Sequence, residues 1–217
     1  MAALIQREGL RVVVGLGKTG LSCVRYLRKA GYQVAVNDTR DNPPNLAELQ
    51  AEFPDVSISL GKLDEPLLLS AREIVCSPGI SINEPELLSA RLNAGITIIG
   101  DIELFCRATD KPIVAITGSN AKSTVTTLVG LMAEQAGIKV GVGGNLGTPV
   151  LELLAQDADL WVLELSSFQL ETTHSLRAAA ATVLNISEDH MDRYSGMPDY
   201  HKAKHRIYRN CHFYVTN

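Results

Sequence analysis

Ile113-Val114-Ala115-Ile116-Thr117-Gly118-Ser119-Asn120-Ala121-Lys122-Ser123-Thr124 is the stretch from which the rest of the chain is read. A run of strand length, rich in apolar and β-branched residues, enters a short loop of small residues. The loop then enters a segment whose apolar residues recur at helical spacing. A strand, a tight loop carrying Lys-Ser and a helix make a phosphate cradle. Loop N–H groups and the helix N-terminus face the anion, Lys122 supplies a point charge, and Ser123 offers a hydroxyl to Mg2+. Residues Gly118, Ser119, Asn120, Ala121, Lys122, Ser123 and Thr124 therefore point to ATP or GTP chemistry. Ala121 stands where glycine normally precedes the lysine. Its methyl can crowd a phosphate or strain a backbone with φ > 0, which bears on ATP affinity.

Outward from this loop, apolar runs of strand length alternate with helical patterns, as in a parallel sheet covered by helices on both faces. Before the loop, the expected strands are 11–14, 33–36, 74–76 and 97–99. One helix places Leu21, Val24 and Leu27 on a single face and stops at Gly31; another has Asn83 as N-cap and Pro85 in its first turn. Asp101 is the expected cap of a short helix through Phe105. From the loop onward, the expected strands are 113–117, 139–142, 160–164, 182–186 and 213–216, with Thr148 as N-cap before Pro149. The fold expected is α/β: two consecutive doubly wound, mostly parallel sheets, a Rossmann-like unit over 1–99 and a P-loop ATPase-type unit over 100–217. The last strand meets the chain end with no covering helix, so the second unit is expected to be truncated.

A chain of 217 residues, 46% hydrophobic and 20% charged, can bury a proper core. A formal charge of −4, with basic residues scattered rather than banded, favours neither nucleic acid nor anionic lipid as partner. Met1 to Gly9 hold no long apolar stretch, and no run reaches the roughly 18 apolar residues of a membrane span, so the expected compartment is the cytoplasm. Cys23, Cys76, Cys106 and Cys211 lie far apart with no C-x-x-C pair. They are expected to be reduced, mostly buried thiols.

Gly15-Leu16-Gly17-Lys18-Thr19-Gly20, with Asp38 closing the next strand, has the form of a dinucleotide fingerprint. The glycines admit a pyrophosphate, and the acid reaches a ribose hydroxyl. The same turn suits other nucleotide diphosphates, such as a UDP-sugar, or a purely structural tight turn. Downstream, Leu160-Trp161-Val162-Leu163-Glu164 ends a strand in a carboxylate that would emerge near the phosphate loop and could hold Mg2+. Asn185-Ile186-Ser187-Glu188-Asp189-His190-Met191-Asp192 is a second strand end loaded with ligand-type side chains, and His190 could bind another metal ion. Gly143-Gly144-Asn145 offers backbone approach and a side-chain amide, or an ordinary flexible turn. Lys202, Lys204, His205, Arg206 and Arg209 read on composition as a solvated basic helix face.

Taken together, these strings resemble the ATP-dependent Mur ligases of peptidoglycan synthesis. The resemblance rests on the Gly15–Gly20 turn, Asp38-Thr39-Arg40, Ser77-Pro78-Gly79, Gly100-Asp101-Ile102-Glu103-Leu104-Phe105, the Lys122 loop, Gly143-Gly144-Asn145, Leu163-Glu164-Leu165-Ser166-Ser167-Phe168-Gln169-Leu170-Glu171 and Glu188-Asp189-His190-Met191-Asp192-Arg193. It implies that the first unit binds a UDP-linked substrate rather than NAD, with Gly17, Lys18 and Thr19 at the diphosphate, Asp38, Thr39 and Arg40 near the uridine, and Ser77, Pro78 and Gly79 beside them. It implies Lys122 on the ATP phosphates, Ser123 and Glu164 on one Mg2+, His190 on a second, Asn145 facing the muramoyl-alanine end, and a carbamylated Lys204 that helps position metal. The implied reaction passes the γ-phosphoryl of ATP to the carboxylate of UDP-N-acetylmuramoyl-L-alanine, and the amine of D-glutamate attacks the acyl phosphate. Family members have three domains. The C-terminal one would be absent here, and the chain alone is expected to have no turnover. Two rivals stand beside this reading: an NAD(P)-dependent oxidoreductase, and a non-catalytic UDP-sugar-binding module.

Overall fold

The computed structural model describes residues 7–216. Residues 1–6 and 217 lie outside it, and with them most of the N-terminal stretch expected to carry no leader. The chain divides into two compact units, Met1–Asp101 and Ile102–Asn217.

The first unit is a five-stranded, all-parallel sheet. Its elements are β1 (Arg7–Val14), α1 (Lys18–Lys29), β2 (Tyr32–Asp38), α2 (Leu46–Glu52), β3 (Ser57–Leu60), α3 (Glu65–Leu69), β4 (Glu73–Cys76), α4 (Pro85–Leu92) and β5 (Thr97–Ile99). The strand order is β3-β2-β1-β4-β5, with every pair parallel. Val12, Val13 and Val14 are all fully buried, which is why β1 reads as an unbroken apolar run: a central parallel strand has core on both faces. The chain runs from β1 to β2 on one side and later to β4 on the other. The loops after β1 and β4 therefore flank the switch point, the crevice where open α/β sheets bind ligands.

Sequence reading missed β3, α2 and α3. Ser57-Ile58-Ser59-Leu60 is a half-polar edge strand, and the two helices are short. The α4 N-cap is Glu84, not Asn83, because Pro85 occupies the first helical position directly after it.

The second unit contains β6 (Ile113–Thr117), α6 (Lys122–Gln135), β7 (Val140–Gly144), α7 (Val150–Leu153), β8 (Leu160–Glu164), α8 (Ser167–Glu171), β9 (Ala180–Val183), α9 (Met197–His205), a 3-10 turn at Arg206–Tyr208 and β10 (Phe213–Val215). Its sheet is also five-stranded and parallel, in the order β10-β9-β6-β8-β7. A further helix, α5 (Asp101–Ala108), starts at the boundary. It runs beyond the expected Phe105, its last turn closed by the i,i+4 pair of Arg107 with buried Glu103 at 2.8 Å.

Three further boundaries move. β7 starts and ends later than expected, carrying Gly143 and Gly144 into the sheet. Pro149, not Thr148, takes the N-cap position of α7. β9 covers Ala180–Val183 rather than 182–186: after Leu184 donates to the Thr117 carbonyl, the chain leaves the sheet and Asn185 turns to the loop after β6. Phe213, Tyr214 and Val215 are exposed on β10. All four cysteines are free; Cys23 and Cys76 are buried, Cys106 and Cys211 half-buried. Among the described residues, no helix is long and apolar enough to cross a membrane.

Candidate functional site

In the second unit the expected phosphate loop joins the end of β6 to the start of α6. The first turn of α6 holds no acidic residue, so its N–H groups and positive dipole end are left for an anion. Lys122 folds back and donates from Nζ to the Ser119 carbonyl at 2.9 Å. Ala121 sits at the N-cap with φ 62°, a left-handed backbone that alanine adopts at about 1–2 kcal/mol over glycine. Among the described residues only two other non-glycine positions have positive φ, and one of them is His190 at 56°. Two expected site residues therefore carry strained backbone, a trait that gathers at functional sites.

Glu164, at the end of β8, is 2% exposed. One carboxylate oxygen accepts from the Ser123 hydroxyl at 2.7 Å and the other from the Asn145 side-chain amide at 2.8 Å. The Asn145 backbone N–H also donates to the Glu164 carbonyl at 2.9 Å. This close approach of two loops requires Gly144, with φ 104°: a Cβ there would stand 2.3 Å from the Glu164 carbonyl oxygen. The Ser123 hydroxyl and the Glu164 carboxylate are hard oxygen ligands of the kind that suits Mg2+, with the Asn145 amide nitrogen holding the carboxylate.

Lys204 is also 2% exposed, so it is no part of a solvated basic face. Its Nζ donates to the Gly118 carbonyl at 2.8 Å and lies 4.7 Å from the Tyr200 ring centre. Burial first, then the neighbouring Lys122 charge, pulls its pKa down from 10.5 to about 8. His190 packs against Phe168, with ring centres 4.7 Å apart, and its Nε2 lies 3.4 Å from Asp189. It also meets the Tyr200 ring edge-on. The expected metal set thus divides into Ser123 with Glu164 in direct contact, and His190 and Lys204, each against the Tyr200 ring. Among the described residues, no three His, Cys, Asp or Glu side chains cluster as a ready metal site.

Tyr200 and Ser187 were not singled out from sequence as site residues, nor Asn185 as a partner of the loop. The Ser119 hydroxyl meets Tyr200 OH at 3.1 Å, donates to the Ser187 carbonyl and accepts from the Ser187 N–H. The only sequence signal was the polar strand end that starts at Asn185. Nothing in spacing announced Tyr200.

In the first unit, Gly17, Lys18 and Thr19 open α1, a helix of 12 residues with no acid in its first turn. Gly15 has φ 92°, and a Cβ on Gly20 would lie 1.8 Å from the Gly15 carbonyl oxygen, so the helix packs directly on the turn. Ser77, after β4, closes the other side, its hydroxyl donating to the Gly15 carbonyl at 3.0 Å. Pro78 and Gly79 form the turn that follows, and Thr39 is exposed after β2. Asp38 is 1% exposed. It accepts from the Leu16 N–H at 2.6 Å and from the Arg40 backbone and guanidinium at 2.6–2.9 Å. Burial pushes its carboxyl up, but the Arg40 side chain and the two backbone donors outweigh this and hold the pKa below 3.8. Both oxygens are already engaged, so Asp38 is not presented to a ribose as an NAD fingerprint requires.

The second sheet and its loop are those of a P-loop α/β protein, joined in one chain to a Rossmann-like sheet with a glycine turn at its switch point. The chain belongs to the Mur ligase family: residues 10–100 match the Mur ligase MurD-like N-terminal domain and residues 116–217 the Mur ligase middle domain. It is 60% identical over 215 residues to a UDP-N-acetylmuramoylalanine--D-glutamate ligase of Pseudomonas aeruginosa, a match that takes in 99% of this chain and 48% of that protein. A protein of the same name from Marinobacter nauticus is also 60% identical, with the same coverage. The chain therefore spans about half the length of these relatives. The solved UDP-N-acetylmuramate:L-alanyl-gamma-D-glutamyl-meso-diaminopimelate ligase from Neisseria meningitides shares the fold at TM-score 0.58 and 18% identity, covering 94% of this chain and 68% of that one.

Proposed function

We propose that this chain forms the first two units, the second in part, of an ATP-dependent ligase that joins D-glutamate to UDP-N-acetylmuramoyl-L-alanine through an acyl phosphate, in the cytoplasm. The observation that carries this reading is the buried Glu164 carboxylate, with the phosphate-loop hydroxyl of Ser123 on one oxygen and Asn145 on the other. A carboxylate set against the loop hydroxyl is what a metal-bound nucleotide triphosphate needs, and an oxidoreductase has no use for it. The identity to D-glutamate ligases over 99% of the chain supports the choice of substrate and amino acid.

On this reading the unit over 1–99 takes the UDP part and the unit over 100–217 takes ATP. Lys18, Thr19 and the N–H groups opening α1 receive the diphosphate. Arg40, fixed by Asp38, stands with Thr39 near the uridine, and Ser77, Pro78 and Gly79 border the same crevice. Residues 118–124 cradle the ATP phosphates. Lys122 must leave the Ser119 carbonyl to meet them, which aims its charge at the transferred group. Asn145 turns from Glu164 toward the muramoyl-alanine end.

Ser123 and Glu164 would hold one Mg2+ and His190 a second; bound there, these ions neutralise charge on the phosphoryl oxygens. Lys204 fits carbamylation because its depressed pKa leaves part of the amine neutral near pH 8, and only the neutral amine can attack CO2. The ammonium first gives up one proton; the neutral amine then forms the new N–C bond to CO2 and gives up a second, so a cation becomes an anion beside Tyr200. Positioning rather than covalent catalysis supplies most of the rate.

The test is a coupled assay of ADP release by the full-length gene product. Release that requires both UDP-N-acetylmuramoyl-L-alanine and D-glutamate, and falls at least about 100-fold in Lys122→Ala, is expected. Release with another amino acid but not with D-glutamate would contradict the assignment.

A further inference from the structure

Asn185 holds Asn120 from both sides, gripping the N–H of the peptide before it and the carbonyl of the peptide that leads into Ala121. Its side-chain Oδ1 accepts from the Asn120 backbone N–H at 2.8 Å, and its Nδ2 donates to the Asn120 carbonyl at 3.1 Å. Its own backbone carbonyl takes the Ser119 N–H at 2.9 Å. The Asn120 carbonyl belongs to the peptide whose rotation defines φ of Ala121, so gripping that carbonyl acts directly on the strained angle of 62°. A glycine would rest in this left-handed conformation unaided, whereas an alanine must be kept there.

We propose that Asn185 is a positioning residue for the phosphate loop, and that its two-sided grip on Asn120 is what lets this chain carry alanine at position 121 and still present its loop N–H groups to an anion. This rests on reading 118–124 as the phosphate loop. Without the grip, Ala121 relaxes toward negative φ and rotates the following N–H groups away from the anion. The Ser119–Ser187–Tyr200 hydrogen bonds remain, so loss of Asn185 alone leaves the loop attached but misaimed.

Four proteins test this: the native 217-residue chain, Asn185→Ala, Ala121→Gly and the double variant. Each is titrated with MgATP and melted without ligand. With alanine at 121, Asn185→Ala should weaken MgATP binding about tenfold or more; with glycine at 121, no more than about threefold. The melting temperatures should show the reverse order. Asn185→Ala lowers the midpoint less in the alanine background, because releasing the grip also releases strain there. A purely structural asparagine would lower both midpoints equally and shift affinity equally in both backgrounds, and that result overturns the proposal. UDP binding at the first unit serves as the folding control and should be the same in all four. If MgATP binds none of the four, the phosphate-loop reading fails and the melting cycle decides alone: unequal drops in the stated order support the grip, equal drops refute it.

Discussion

Lys204 donates its buried ammonium to the carbonyl of Gly118 at 2.8 Å, so a residue of α9 holds the first residue of the loop that follows β6. The lysine is buried beside Lys122 and has its pKa depressed to about 8. The folded protein therefore favours the neutral amine more than the unfolded chain does. Below about pH 8 this opposes folding in full. Between about 8 and 10.5 the unfolded chain binds more protons, and stability rises with pH. In CO2-free buffer, where the amine stays unmodified, and measured against Lys204→Met, which lacks the titration, the native midpoint should climb across this interval by the equivalent of about 1–2 kcal/mol after allowance for screening. Parallel pH profiles for the two proteins would contradict the shift.

Glu164→Gln keeps the shape at the end of β8 and can still accept from Ser123, but removes the negative charge. Its new NH2 faces the Asn145 amide, which must turn over to accept from it, so ligand-free stability should fall by no more than about 1.5 kcal/mol. Magnesium dependence should not survive. In isothermal titrations the native chain should bind ATP at least about tenfold more tightly with Mg2+ than with EDTA, and the variant should show no such difference.

Asp38 fixes the turn that opens α1 through the Leu16 N–H and fixes Arg40 through its guanidinium. Asp38→Ala leaves a buried donor without its acceptor and should destabilise the first unit by about 1–3 kcal/mol at pH 7. The folded-state pKa lies below 3.8, so the contribution is present above that value and is lost as the pH falls through the folded-state pKa. Denaturation of native and variant protein at pH 7 and pH 3 should show the gap narrowing on acidification.

Gly20→Ala would drive a methyl to 1.8 Å from the Gly15 carbonyl oxygen, a clash with backbone that no rotamer relieves. The helix must lift from the turn, at about 2–3 kcal/mol and with loss of UDP binding. Gly17→Ala, whose Cβ meets nothing within 4 Å, should leave stability nearly unchanged. Chemical denaturation of the pair separates the packing glycine from the one that keeps the approach open.

What the sequence discloses is what lies on one strand and its following loop. Lys122, Ser123 and Glu164 were legible because a parallel sheet delivers strand ends to one edge, and Gly15 to Gly20 because glycine spacing reflects local backbone demands. What escaped depends on distant partners. Lys204 is named through the family resemblance alone: composition reads its basic run as solvated, and only packing against Tyr200 and Gly118 buries it. Asn185 lies 65 residues from Asn120 and reaches it because β9 ends early beside β6. β3 escaped for a different reason: as an edge strand it has one open side and needs fewer apolar residues, which leaves its pattern faint.

Two separate anion cradles, one for a uridine nucleotide and one for a triphosphate, are the claim on which the rest depends. The most direct test is thermal unfolding of the 217-residue chain with UDP-N-acetylmuramoyl-L-alanine, MgATP and NADH, singly and in pairs. The first two ligands should each raise the midpoint, by the equivalent of about 2.7 kcal/mol at a hundred times Kd, and NADH should leave it unchanged. A rise with NADH and none with the uridine compound would contradict the account.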